Sequence, residues 1–334
     1  MIMRKGFQMS LVDQTLKEFQ LLTRRYALFH AAFLSAFVLE LLTLLIFMPF
    51  LAKTLALAIV VALTFLTVFT YFVLRFYFQT RKPEQFVTLR NKFLITSLEP
   101  MLKGAGERWS IQRLHPIYEL LQKLQGQESQ YYSLPSFLQT LSPLVEKFSV
   151  WCHWEDVQWM KETLHLHTLR KIFDWVKLYP TDLELHRTLA ASYIALYQIY
   201  QMPALSTAFY SFIERQYESP QMKERFEKSA RSAVEELKVV LSYAANDPWA
   251  LGQIARVYHD LGFKQEERKT YEALLSLKPQ DGEIHYRLGK LYFELGHMAQ
   301  GLHLYQELQG RKDPKAQDLI EHYDAYYNAE LLEV

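Results

Sequence analysis

Tyr258, Tyr292 and Tyr326 recur at a spacing of 34 residues, and a set of small and apolar residues recurs with them. Leu251 returns as Leu319, Ile254 as Leu288, Ala255 as Gly289, Leu261-Gly262 as Leu295-Gly296, Tyr271 as Tyr305 and Leu274 as Leu308. A unit of that length is one pair of helices, too small to bury its own apolar face. It is stable only when stacked on its neighbours, which builds a solenoid with a long concave surface. Such a surface suits binding more than catalysis.

The N-terminal part obeys a different rule. Residues Thr54 to Leu74 carry no charge, and Tyr26 to Phe50 are interrupted only by His30 and Glu40. At about 1.5 Å per helical residue each run reaches across the hydrocarbon core of a bilayer, about 30 Å. The second run has no polar face to offer water. Residues 26–78 therefore read as a transmembrane helical hairpin, joined only through Met48-Pro49-Phe50-Leu51-Ala52-Lys53-Thr54. Arg4, Lys5, Lys17, Arg24 and Arg25 precede it and Arg75, Arg81, Lys82, Arg90 and Lys92 follow, against Lys53 alone in the turn. That asymmetry places both termini in the cytoplasm. The first apolar stretch is too long for a cleaved signal peptide and is followed at once by a second. An integral protein of a bacterial inner membrane fits this layout.

After residue 80, proline and glycine punctuation marks out helices at 84–103, 107–125, 134–150, 154–178, 183–200, 205–217, 222–244, 248–261, 264–277, 282–295, 298–309 and 315–332. No run alternates with the period of a strand. The expected fold is all-α: a cytoplasmic segment over 1–25, the hairpin over 26–78, a helical linker with divergent helix pairs over 79–178, and a solenoid over 179–334 ending in a capping helix. Trp151, Trp154, Trp159 and Trp175 suggest an aromatic-rich core for the linker. An earlier repeat starts at Leu183 with Leu189, Ala190 and Tyr193 in register. Its second helix is carried by Ala233 and Leu237, so an insert near 201–223 separates the pair. The apolar stretch Phe209-Tyr210-Ser211-Phe212-Ile213 in that insert is expected to pack back on the solenoid or to serve as a docking element.

With position one at Pro248 and again at Gly282, position four is Leu251 and His285, seven is Ile254 and Leu288, eight is Ala255 and Gly289, and eleven is Tyr258 and Tyr292. This pattern resembles the tetratricopeptide repeat (TPR), with Pro279 where that family ends its second helix. Glu267 and Gly301 depart from the alanine usual at position twenty, and Pro314 stands one residue late. The resemblance covers 183–332 with one interruption and is densest over 248–310. It implies a protein-binding scaffold whose first helices line the groove at positions two, five, nine, twelve and thirteen. Carried over, these are Glu184, Arg187, Ala191, Ile194 and Ala195, then Trp249, Gly252, Arg256, His259 and Asp260, then Glu283, Tyr286, Lys290, Phe293 and Glu294. Arg187, Trp249, Arg256, His259, Tyr286, Lys290 and Phe293 are the groove candidates among them, Arg, Trp, Tyr and Phe being the types that dominate binding energy at interfaces, weighed equally against packing on the last helix. The lysine–asparagine clamp by which some family members grip a terminal carboxylate is absent, since the corresponding pairs are Arg187/Ala191, Gly252/Arg256 and Tyr286/Lys290.

Other chemistry finds little support. Cys152 is the sole cysteine, and His165 and His167 lie two apart on a helix, pointing to different sides, so a metal site with His153 is not expected. Glu40 lies near the middle of the first run, where a carboxylate needs protonation, a bond to Thr43, Thr64 or Thr67, or association with a second copy. Lys+Arg total 37 against 36 Asp+Glu, with no basic stripe for nucleic acid. No phosphate-binding glycine loop, zinc-protease motif, nucleophile elbow or kinase signature occurs, so the chain reads as a non-enzyme without a cofactor. The partners expected are a protein or peptide ligand and the lipid bilayer. Two alternatives stay open. The hairpin layout also looks like that of inclusion-membrane proteins of intracellular bacteria, which would make the hairpin the functional part and put the protein in a host-derived membrane; envelope-assembly proteins also join membrane helices to such repeats, but the short link between the spans argues against them. An enzyme site within 84–178 is the other.

Overall fold

The computed structural model describes residues 10–51, 55–102, 114–132, 136–202 and 211–332. Every regular element among them is helical. In order they are α1 (Leu11–Leu51), α2 (Ala56–Leu102), α3 (His115–Leu124), α4 (Ser142–Leu178), α5 (Leu183–Tyr200), α6 (Ser211–Tyr217), α7 (Pro220–Tyr243), α8 (Pro248–Asp260), α9 (Lys264–Leu277), α10 (Gly282–Glu294), α11 (Met298–Gly310) and α12 (Lys315–Leu332), with a 3-10 turn at Ser136–Leu141. They form two compact units, divided within α4 after Thr168.

The first unit is built on two helices much longer than the apolar runs within them. Both are long and apolar enough to cross a membrane, and their most apolar stretches are not buried. They pair antiparallel through Phe29 and Phe78, with ring centroids 4.7 Å apart, and Phe29 and Tyr71, 5.9 Å apart. A helix starting at 84 was the expectation from the punctuation at Pro83. Instead α2 runs through it. An internal proline costs about 3 kcal/mol, but the next turns bury Phe86, Leu89, Phe93 and Leu94. These meet Phe19 of α1, 5.4 Å from Phe86, and Trp159 of α4, 5.7 Å from Phe86. Ile117, Leu120, Leu121 and Leu124 complete the core with the inner face of α3. Likewise α4 is one helix where two were expected, because nothing between Ser142 and Leu178 interrupts it after Pro143. Trp154 belongs to this core, whereas Trp151 is 62% exposed. Part of the expected 107–125 helix, the lysine of the hairpin turn and the first half of the 205–217 helix lie outside the described residues.

In the second unit the helix pairs stand where the 34-residue period puts them. Each first helix opens on an aspartate whose side chain accepts a backbone N–H: Asp182, Asp247 and Asp281 cap α5, α8 and α10. Pairs turn through glycine: Gly262 at φ 74° and Gly296 at φ 77° take the left-handed conformation, so the amides of Phe263 and His297 reach back to the carbonyls of Tyr258 and Tyr292 at 2.9 and 2.7 Å. At the equivalent point after α11 the residue is Lys312, at φ 56°. α5 packs on α7 across the intervening residues. Ala190, Ile194 and Tyr197 of α5 share one core with Ala233, Val234 and Leu237 of α7 and with Ala250, Ile254 and Val257 of α8. A second core joins Leu251 and Ala255 to Leu274, Leu288 and Leu304, and a third closes the end with Phe293, Leu308, Ala316 and Leu319.

Candidate protein-binding cleft

Between α8 and α10 a cleft of about 610 Å³ opens on the side of the first helices. Gly252 is part of its lining, and a Cβ there would meet nothing within 4 Å. Pro248, Tyr271, Leu274 and Ile284 supply apolar lining, and Arg256, His259, Asp260, Lys278, Asp281, Glu283 and Arg287 supply charge or a titratable ring.

The two signs are used differently. Asp281 is occupied in capping α10, accepting from the Glu283 amide at 3.0 Å. Glu283 takes the Arg287 guanidinium at 2.5 Å on one oxygen and the Lys315 ammonium on the other. Asp260 accepts from the Tyr197 hydroxyl at 3.0 Å; burial pushes that phenol up, Asp260 adds to the shift and Arg256 opposes it. Among the described residues, Arg256 and Lys278 make no side-chain hydrogen bond or ion pair, and both are exposed. The carboxylates of the cleft are therefore engaged within the fold while two cations face outward.

His259 leans on the wall rather than standing free. Its Nδ1 lies 3.2 Å from Oε1 of Glu267, which is buried at 4% of its side-chain surface while the imidazole is 64% exposed. Burial pushes the Glu267 carboxyl up, against the pull of His259.

The remaining sequence candidates separate. Arg187 is held in place by Glu184 and Asp247, with Nη2 2.5 Å from Asp247 Oδ2. For Asp247, burial is outweighed by the bonds from Arg187 and the Trp249 amide, which hold its carboxyl below the usual range. Trp249 is 38% exposed and outside the cleft lining. Tyr286 and Lys290 stand one repeat on, the ammonium 5.7 Å from the ring centroid, with Tyr286 packed against the terminal core. Phe293 does not reach the surface. It is fully buried, 4.9 Å from the Tyr323 ring, because Gly301 leaves space for its ring. Ile194 is buried as well. Lys278, Gln253 and Arg287 line the cleft without occupying any of the five groove positions. Lys278 comes from the end of the second helix, which a pattern counted on first helices passes over.

In the first unit, the Thr67 hydroxyl donates to Glu40 Oε1 at 2.6 Å across the hairpin, while Thr43 and Thr64 bond to their own helices. Cys152 is half-buried, and its thiol is pushed up to about 11 by burial, with Asp156 adding. His153 is buried against the Tyr131 ring at 3.9 Å with Nε2 2.9 Å from the Tyr132 hydroxyl, and His165 is buried on the same helix. A shallow hollow of about 480 Å³ lies on the outside of α2 along Val73, Phe76, Tyr77, Thr80, Arg81 and Glu84.

No protein-family model and no curated protein matches the sequence. Among solved structures the chain is similar to the crystal structure of a thermophilic TPR protein of Thermus thermophilus, at 19% identity and a TM-score of 0.31, over 62% of this chain and 98% of that one. The helix pairs described above, with their period, turns and small-residue contacts, are TPR-like on their own geometry.

Proposed function

We propose that this chain is a non-enzymatic scaffold, held to a membrane by the α1–α2 hairpin and binding a segment of a partner protein in the cleft between α8 and α10. The observation that carries the binding half is the imbalance in that cleft: its carboxylates are satisfied internally and Arg256 and Lys278 are not, so an anionic, partly apolar segment is the complementary ligand. The membrane half rests on two apolar helices whose most apolar stretches are uncovered, a surface too extended for a soluble monomer. Arg24, Arg25, Arg75, Arg81 and Lys82 gather at one end of the paired apolar runs, which supports a cytoplasmic side for that end, in a bacterial inner membrane. Confinement to the membrane raises the effective concentration of the cleft toward other membrane-bound proteins.

The test is affinity capture from detergent-solubilised membranes with the wild-type chain, with Arg256→Glu/Lys278→Glu and with Gly252→Trp. The first variant reverses the exposed charge; the second plugs the cleft where added atoms meet nothing. Both are expected to unfold at the wild-type temperature and to lose the same captured protein. If every protein captured by the wild type is still captured by both, the cleft is not the binding site.

A further inference from the structure

The first unit carries an apolar stripe at the start of α4. Leu141, at the end of the 3-10 turn, is 43% exposed; Leu144 is 62%, Phe148 41% and Trp151 62% exposed. Their spacing of three, four and three residues puts them on one narrow helical face. The next residue on that face is Glu155, also exposed. The face is thus apolar for three turns and then abruptly charged.

Contacts fix where that change falls. Arg24 and Lys82 stand at about the same level of the hairpin, two residues outside Tyr26 and four outside Phe78, whose rings meet at 5.6 Å. Lys82 Nζ binds Asp156 Oδ1 at 2.6 Å, and Arg24 donates to the backbone carbonyl of Tyr131, on whose ring His153 is stacked. Residues 153–156 of α4 are therefore level with Arg24 and Lys82 of the hairpin. One turn further, Trp159 meets Phe86 and lies under the Arg90 guanidinium, 5.9 Å from its centroid. So α4 advances in the same sense as α2, away from the apolar runs. Followed backwards from residue 153, it heads toward them. The stripe of α4 gives way to charge at the level of Arg24 and Lys82, about two turns outside Arg75 on α2.

We infer that residues 141–151 dip into the bilayer leaflet on the side where the hairpin ends emerge, making the start of α4 a third membrane-contacting element. This rests on the membrane reading of the hairpin. Ten residues advance about 15 Å, half of a hydrocarbon core of about 30 Å, so the segment enters one leaflet and does not span. Trp151, at the outer end of the stripe, takes the interfacial depth that tryptophan favours, and Lys147 on the flank is long enough to reach the headgroups. The occupant is lipid because the stripe, followed inward from the level of Arg24 and Lys82, heads toward the uncovered apolar surface of the hairpin.

The experiment uses the full chain with Cys152→Ser, reconstituted in phosphatidylcholine–phosphatidylglycerol vesicles. Nitroxides are placed singly by Leu144→Cys, Phe148→Cys, Trp151→Cys and Glu155→Cys, with Leu45→Cys in the hairpin as reference. Collision with dissolved oxygen and with a water-soluble nickel chelate is measured at each. The expected result is loss of nickel collisions with retained oxygen collisions at 144, 148, 151 and 45, and free nickel access at 155. Nickel access at 144, 148 and 151 equal to that at 155, with 45 still protected, overturns this inference and leaves the hairpin reading standing. Exclusion of both reagents from the stripe means that a protein covers it, which also overturns it. Nickel access at 45 removes the membrane reading and this inference together.

Discussion

At the level of single residues, the two departures from the usual alanine at position twenty each meet position twelve of the same repeat. In one repeat Glu267 is answered by His259, 3.2 Å away; in the next Gly301 is answered by Phe293, whose ring a Cβ on residue 301 would approach to 2.3 Å. Installing alanine at both sites should therefore have unlike effects. Gly301→Ala drives a methyl into a fully buried ring and is expected to cost about 1–3 kcal/mol. Glu267→Ala removes a carboxyl whose ionisation burial opposes, and its partner is exposed and regains water, so a change within about 1 kcal/mol is expected. Denaturant unfolding of both variants checks the contrast; equal losses would mean that positions twelve and twenty do not act as pairs. Phe293 shows where residue-by-residue transfer of a pattern stops. Position twelve is read as groove-lining from the resemblance alone, whereas here Gly301 leaves room for the ring to turn inward. The glycine at 301 was in the sequence, but its meaning depends on a contact eight residues away.

At the level of elements, the helix pairs of the second unit were legible because capping, turn glycines and apolar spacing agree there. In the first unit they conflict: Pro83 argues for a boundary that burial of the following turns overrides. The same burial makes that unit sensitive to acid. Burial holds His153 down at about 4, with Lys82 and Arg24 adding, and His165 down at about 4, with Lys161 adding, from an ordinary 6.5. Both histidines are thus neutral in the fold and protonate first in the unfolded chain. Their contribution is complete above pH 6.5 and is lost as pH falls from 6.5 toward 4, by a few kcal/mol. Asp156 works in the opposite direction over a similar window, because burial pushes it up to about 6 against the pull of Lys82, so the fold gains as it takes a proton. Two histidines outweigh one carboxyl. Tryptophan emission of Trp154 and Trp159 is expected to report a midpoint that moves to lower denaturant below pH 6, and His153→Phe/His165→Leu should flatten that dependence. A slope unchanged by the double substitution would place the titrating groups elsewhere.

At the level of the whole molecule, the second unit is a one-dimensional array in which each helix pair is completed by the next. The core of α5 and α7 is closed by α8, that of α8 by α10, and that of α10 and α11 by α12. The last step is unusually close, since a Cβ on Gly289 would come within 2.7 Å of Leu319, so α12 lies directly against α10. Neighbour terms dominate such arrays, and a loss at one end should decay along it. A chain stopped after Arg311 exposes Phe293, Leu308 and Gly289 together. It is expected to lose hydrogen-exchange protection most in α10 and α11, less in α8 and α9, and least in α5 and α7. The cleft takes Asp281, Glu283, Ile284 and Arg287 from α10, so the same truncation should abolish capture by the cleft although it removes no residue that lines it. Protection lost evenly from α5 to α11 would show a single cooperative block; protection unchanged in α10 would show that α12 is an appendage and that the cleft is complete without it.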